Sequence, residues 1–297
     1  MKRILLTGAH GQLGNAFRTC FTESELANEW TLQETDINEL DLTSNQSVLS
    51  FLASCAPSVI VNCAGYTAVD KAEQEVELAK KVNDNAVGYI TKWACINFCR
   101  VIHISTDFVF DGNKSEPYLP SDQPNPIGVY GRTKLAGEKH VLELGSRGVI
   151  VRTSWLYSEF RSNFVKTMID LMNKKSELGI VNDQIGSPTS AHSLSRLLIK
   201  VIEHENFNGI LHWSDGASVS WFEFAMEIQR QAFNLGLLKT KIPLKPIKTE
   251  QYPTPAKRPK YSVLERNCSM EPFNVAIKNW KDELQGVITR MSEKIGS

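Results

Sequence analysis

The chain reads as an α/β protein: a doubly wound parallel sheet followed by a smaller C-terminal α/β domain. Two observations predict this. Short apolar or β-branched runs recur through the first half (Ile4–Leu6, Val59–Val61, Val101–Ile104), each separated from the next by a longer stretch with helices. Strands that are apolar on both faces are buried on both, as in a parallel sheet covered by helices. The first run also ends in a glycine-rich turn that opens a helix, which is how such sheets begin when they bind a dinucleotide.

The elements follow in order. Ile4-Leu5-Leu6 is a strand, and Thr7-Gly8-Ala9-His10-Gly11-Gln12-Leu13-Gly14 carries the spacing G-x-x-G-x-x-G before Asn15-Ala16-Phe17 enters a helix. Gly8 permits the tight turn, Gly11 lets backbone approach a pyrophosphate, and Gly14 lets helix and strand pack closely. The free N–H groups of that helix and its dipole favour an anion. A second strand ends at Asp36, placed to meet the adenosine ribose hydroxyls, although a plain turn aspartate before Asn38 has the same appearance. A carboxylate there repels a 2′-phosphate and leans toward NADH, while a neighbouring basic group can offset it, so the cofactor is NADPH or NADH. Asp41-Leu42 can flank the adenine. A helix runs from Val48 to Ser54, Val59–Gly65 is a buried strand running into a loop, 75–98 is helical, and 100–105 is the next strand. The proline-rich run Pro117–Pro126 loops out before a helix holding Tyr130 and Lys134. Gly8, Gly65, Ser105 and Thr106 all fall at carboxyl ends of strands, where open α/β sheets bind their ligands.

Tyr130 and Lys134 are four residues apart, so on a helix they share one face. An ammonium placed there can lower the pKa of a phenol and let it exchange a proton with a carbonyl or carbinol oxygen near neutral pH. The second half is less regular. Helices are expected at Asn163–Asn173 and Ser193–His204, some returning to the first sheet, and the loop Gln251–Tyr261 is rich in proline and carries Lys257, Arg258 and Lys260. Arg258 either contacts a diphosphate or belongs to a solvated basic turn. The division expected is 1–155 for a dinucleotide-binding domain and 156–297 for a smaller substrate domain.

Composition narrows the class. The 297 residues hold 33 Lys and Arg against 33 Asp and Glu, so no global field favours nucleic acid or an anionic membrane. The apolar stretch after Lys2-Arg3 stops too soon for a signal peptide, and no run approaches a membrane span. A cytoplasmic location is expected. The six cysteines (20, 55, 63, 95, 99 and 268) follow no metal-binding spacing, and free buried thiols are expected, including Cys95 and Cys99. No metal is expected either: the histidines are scattered, with His10 in the glycine loop and His103 within a strand.

Gly8-x-x-Gly11-x-x-Gly14, Asn62-Cys63-Ala64-Gly65, Ser105-Thr106-Asp107 and Tyr130-x-x-x-Lys134 resemble the extended short-chain dehydrogenase/reductases, a Rossmann-type family. Within it the segments Tyr66–Glu73, Val129–Glu138, Arg152–Tyr157, Asn182–Thr189 and Tyr252–Pro259 are similar to the dTDP-4-dehydrorhamnose reductase branch, in order from about residue 3 to Trp280. That resemblance implies reduction of the C4 ketone of a dTDP-sugar. Tyr130 would be the proton donor, Lys134 would bind the nicotinamide ribose and lower the phenol's pKa, and Thr106 would polarise the carbonyl. Gly11, Gln12 and Leu13 would hold the pyrophosphate, Asp41 and Leu42 the adenosine, and Gly65, Tyr66 and Thr67 the cofactor at the next strand end. Asp107 and Trp155 would contact the sugar, unless Trp155 is simply packing. Phe108 stands where sugar-nucleotide dehydratases of this fold place a glutamate, which disfavours elimination. Some members bind a divalent ion at a dimer interface through a glutamate just after the glycine loop; here that position is Ala16. A monomer or a homodimer is compatible. Reduction of another 4-keto-6-deoxy nucleotide sugar, an epimerase, and a non-catalytic role like that of the methionine adenosyltransferase regulatory subunit remain open.

Overall fold

The computed structural model describes residues 2–267, 272–273, 275 and 278–296, so Cys268 lies outside the described residues. In chain order, β1 (Lys2–Thr7) leads to α1 (Gln12–Thr22), β2 (Trp30–Thr35), α2 (Asn45–Cys55) and β3 (Val59–Asn62). Two short helices follow, α3 (Val69–Ala72) and α4 (Val76–Lys80). Then α4 passes through a π-helical segment, Lys81–Asn85, into α5 (Ala86–Ile96). Next come β4 (Arg100–Thr106), α6 (Val129–Leu142) and β5 (Gly148–Thr153). The rest is β6 (Leu156–Tyr157), α7 (Phe164–Lys174), β7 (Leu178–Val181), β8 (Ile185–Gly186), β9 (Thr189–Ser190), α8 (Ala191–Glu203), β10 (Gly209–Trp213), β11 (Val219–Ser220), α9 (Trp221–Asn234), β12 (Leu244–Ile247) and α10 (Trp280–Gly296).

Six strands form one parallel sheet in the order β10-β5-β4-β3-β1-β2. Alternation along β1 divides its side chains between two layers. Ile4 and Leu6 join α1 and α8 on one face, while Leu5 joins α2 and α5 on the other. The helical stretch expected at 75–98 is therefore real but not uniform, because the π segment adds a residue to the turn at Asn83.

The sixth strand comes from late in the chain. β10 pairs with β5 from Gly209↔Val149 to Trp213↔Thr153, and α8 packs against α1 with Leu194, Leu197, Leu198 and Val201 fully buried. Residues 191–213 thus belong to the first sheet, although they lie beyond position 155. A separate apolar cluster gathers α7, α9 and α10 with Tyr157, Ile180 and Leu238. Three two-stranded pairings, β6 with β9, β7 with β12 and β8 with β11, join the late segments. Among the described residues no helix is long and apolar enough to cross a membrane. Cys20, Cys55 and Cys99 are buried free thiols as expected, but Cys95 is exposed because α5 turns that position away from the sheet.

Candidate active site

The turn after β1 can be built only from glycine. Gly8 has φ +64°, and a Cβ there would lie 2.8 Å from the Ala64 nitrogen. A Cβ on Gly14 would lie 2.4 Å from the Gly8 oxygen, so helix α1 leaves the sheet at backbone contact. Gly11 is the N-cap of α1 and offers no side chain to the first turn, leaving the N–H groups around Gln12 and Leu13 open toward a ligand. Asp36 follows β2 and reaches this turn: its Oδ2 accepts the His10 N–H at 2.8 Å, and its Oδ1 accepts that of Ile37. The Asp41 carboxylate accepts both the hydroxyl and the N–H of Thr43, and these bonds hold its pKa below the usual carboxylate range. Leu42 is half-buried beside the α2 and α5 core.

The loop after β3 is fixed from the π segment. Asn83 accepts the Tyr66 N–H at 2.8 Å and donates to the Tyr66 carbonyl and the Thr133 hydroxyl, both at 3.1 Å. One buried amide thus ties Gly65, Tyr66 and Thr67 to helix α6. The same loop supplies Glu73, whose carboxylate accepts the Val129 N–H at 2.7 Å. Gly128, the N-cap of α6, has no side chain, so Glu73 caps that helix from a distance.

Helix α6 brings Tyr130 and Lys134 to the end of β4. Lys134 is buried, with Nζ 2.5 Å from the Ile104 carbonyl and 3.2 Å from Nε2 of His103. Burial lowers its pKa to about 8, against the opposing pull of Glu138 and Cys63. Tyr130 meets Phe108 edge-on, ring centroids 5.6 Å apart. Burial pushes its phenol up to about 12; hydrogen bonding with Thr106 pulls it down and the Asp107 charge pushes it further up. Lys134 is not among the groups that lower this phenol, because its ammonium is turned to Ile104 and His103. The phenol therefore keeps its proton at neutral pH.

Thr106 is buried at the end of β4 and donates to Asp107 Oδ1 at 2.9 Å. Burial raises the Asp107 pKa to about 6, with hydroxyls of Ser262 and Thr106 resisting. Behind this edge, Glu138 takes two bonds from Arg152, at 2.9 and 2.7 Å, and one from Ser105 at 2.5 Å, so α6, β4 and β5 are locked together beneath Tyr130. Trp155 has φ +46° and stacks on Trp221 with centroids 3.4 Å apart, close against Gly186. In this structure its ring is a packing element of the late segments. Arg258 is not a free cation. It forms a two-pronged pair with Asp70, at 3.0 and 2.7 Å, and its hydrogen bonds hold the Asp70 pKa down. The pair docks the 251–261 loop onto the loop after β3, which neither a solvated turn nor an open diphosphate site would require.

The structure thus brings Gly8, Gly11, Gln12, Gly65, Thr106, Tyr130 and Lys134 to the carboxyl ends of β1, β3 and β4, with Trp155 and Arg258 on flanking segments. The sequence assigned no role to Asn62, Glu73, Asn83 or Glu138, and placed His103 only within a strand. The available signal was a polar residue within or ending an otherwise apolar strand, as His103 lies inside β4 and Asn62 ends β3.

Residues 1–293 match the RmlD substrate binding domain family. A dTDP-4-dehydrorhamnose reductase of Aggregatibacter actinomycetemcomitans is 38% identical over 97% of this chain and 98% of its own, and that of Escherichia coli K12 is 35% identical over 94% of each. Among solved structures, a dTDP-4-dehydrorhamnose reductase from Clostridium acetobutylicum superposes with a TM-score of 0.90 at 40% identity, covering 97% of this chain and 99% of that one. Another from Bacillus anthracis, in complex with NADP, gives 0.90 at 36% over 98% and 100%. Matched along nearly its whole length, the chain belongs to the RmlD substrate binding domain family, together with these dTDP-4-dehydrorhamnose reductases.

Proposed function

We propose that this chain reduces the C4 ketone of dTDP-4-dehydro-L-rhamnose to dTDP-L-rhamnose, with Tyr130 as proton donor. The observation that carries the reading is the meeting of Tyr130, Thr106 and Lys134 at the end of β4, beside the glycine turn. A dinucleotide fits the residues present. Gly8 and Gly14 leave backbone room that any Cβ would fill, and the open first turn of α1 presents N–H groups to a pyrophosphate. Gly8, Gly11, Gln12, Leu13 and Gly14 would hold the phosphates. Asp36, Asp41 and Leu42 would meet the adenosine, and Gly65, Tyr66, Thr67 and Lys134 the nicotinamide end. NADPH or NADH, when bound, supplies the hydride.

The chain's own residues supply the rest. Tyr130 holds a proton at neutral pH, since its pKa is about 12, and gives it to the oxygen that becomes the C4 hydroxyl. The Thr106 hydroxyl would turn from Asp107 to donate to the same oxygen and stabilise the charge developing there. Lys134 is a cation buried one helical turn from Tyr130, with two donors occupied and one left for a ribose hydroxyl. Asp107 would contact the sugar, Trp155 would reach it only with an edge left by its stacking on Trp221, and Arg258 would share its guanidinium between Asp70 and a diphosphate. Phe108 brings no acid–base group, which leaves reduction favoured over elimination.

The test is oxidation of NADPH and of NADH by the wild-type and Tyr130→Phe proteins, with dTDP-4-dehydro-L-rhamnose made in situ. Turnover to dTDP-L-rhamnose that falls at least about 100-fold in Tyr130→Phe is expected. Cofactor binding without turnover would sink the assignment of this substrate.

A further inference from the structure

A chain of buried polar groups runs from the glycine turn to the catalytic lysine. Ala64 N–H donates to the Thr7 hydroxyl at 3.3 Å, and that hydroxyl donates to Asn62 Oδ1 at 2.6 Å. Asn62 Nδ2 lies 3.0 Å from His103 Nδ1, and His103 Nε2 lies 3.2 Å from Lys134 Nζ. Thr7, Asn62, His103 and Lys134 are all 4% exposed or less, so water cannot replace a mismatched partner. The chain links β1, β3, β4 and α6 through side chains alone.

The hydrogen count along it admits two directions. In one, the Asn62 amide donates to His103 Nδ1, so the neutral imidazole carries its proton on Nε2 and points an N–H at Lys134. Only an uncharged Lys134 amine can accept that bond. In the other, the Lys134 ammonium donates to Nε2, the imidazole proton sits on Nδ1, and the Asn62 amide turns its oxygen to it. Imidazolium fits neither direction, and burial and the Lys134 charge hold the His103 pKa well below its usual value. The other titratable groups facing this pair are the Cys63 thiol after β3, which burial keeps protonated, and Glu138 on α6. Glu138 is committed to Arg152 and Ser105.

Resting on the reductase reading above, we propose that His103 is the positioning residue of Lys134: its Nε2 accepts from the ammonium, fixing the cation beneath the cofactor site, and its tautomer reverses with the chain when the lysine loses its proton. Thr7 and Asn62 reverse their polarity with it, and the change releases one proton in all: Nε2 takes a proton from the lysine as Nδ1 loses its own.

The test compares three variants that separate this role from simple filling of space. His103→Gln places an acceptor near the former Nε2, whereas His103→Asn keeps only the contact toward Asn62 and His103→Leu keeps neither. The pH profile of kcat/KM is expected to keep its alkaline limb in His103→Gln. In His103→Asn and His103→Leu the limb should move down by about one pH unit, a loss of about tenfold at pH above it. Equal profiles in all three would overturn the proposal. Folding is checked by thermal melting, and a second readout needs no substrate. In the full chain labelled with 15N-histidine, the signal lost in His103→Gln identifies His103. Its proton should sit on Nδ1 near neutrality and move to Nε2 as Lys134 titrates. A single tautomer across that range would overturn the proposal. A protein inactive on the keto sugar but showing the tautomer change would refute the substrate assignment and leave the role of His103 standing.

Discussion

Gly131 sits between Tyr130 and Lys134, and replacing it with alanine tests whether helix placement controls the chemistry. A Cβ at this position would lie 2.1 Å from the Phe108 carbonyl oxygen and 2.9 Å from both the Phe108 carbonyl carbon and Pro126 Cβ. The first contact is with backbone, so no rotamer change relieves it. A relaxed carbon–oxygen contact is about 3.3 Å, so α6 must retreat from the end of β4 by about 1.2 Å. Displacements of about 1 Å at reacting groups cost about 100-fold in rate. The overpacking itself costs about 1–3 kcal/mol of stability. The expected result for Gly131→Ala is therefore a fall of about 100-fold in kcat, lower thermal stability, and nucleotide binding that persists, because the glycine turn is untouched. The control is Gly286→Ala in α10, where the nearest atom to a Cβ is Arg290 Nη1 at 3.6 Å. That change should leave turnover intact and stabilise the fold by about 0.5–1 kcal/mol. Full turnover in Gly131→Ala, measured by loss of nicotinamide absorbance, would refute the reasoning.

Two further outcomes follow from particular contacts. Glu73→Ala removes the only side-chain acceptor described at the N-terminus of α6 and should cost about 1 kcal/mol. Hydrogen exchange should quicken in the first turn of that helix, with Glu73→Gln restoring protection, and unchanged exchange would show that the cap is idle. Burial raises the Asp215 pKa to about 7, above its unfolded value. Its contribution to stability is thus present in acid and lost as pH rises through about 7. Asp215→Asn should flatten the decline in melting temperature between mildly acidic and mildly alkaline pH, by roughly 2 °C for each kcal/mol recovered, and an equally steep decline would contradict the assignment.

Much of the site was legible in the sequence because its parts are local. The glycine spacing after a short apolar run, the i,i+4 pair Tyr130–Lys134 and the Thr106-Asp107 strand end each declare their chemistry within a few residues. Other features depend on partners distant in the chain. In the sequence Arg258 reads as a diphosphate contact or a solvated basic residue, and only the fold sets Asp70, 188 positions away, across from it. Trp155 stacks on Trp221 through a left-handed backbone that no local pattern signals. The position of Cys95 shows the limit of composition: it lies in an apolar stretch but faces outward, since helical phase and not mean hydropathy decides exposure.

By itself the sequence determined the parallel sheet, the dinucleotide turn and the candidates Tyr130, Lys134 and Thr106, since strand periodicity, glycine geometry and functional groups are properties of short segments. Only the tertiary structure decided that β10 is the sixth strand and pairs with β5, that Asn83 and Glu73 hold α6 from outside it, and that Lys134 faces His103. Those outcomes arise from burial and from the need of each buried polar group to find a partner, conditions that exist only once distant segments have packed.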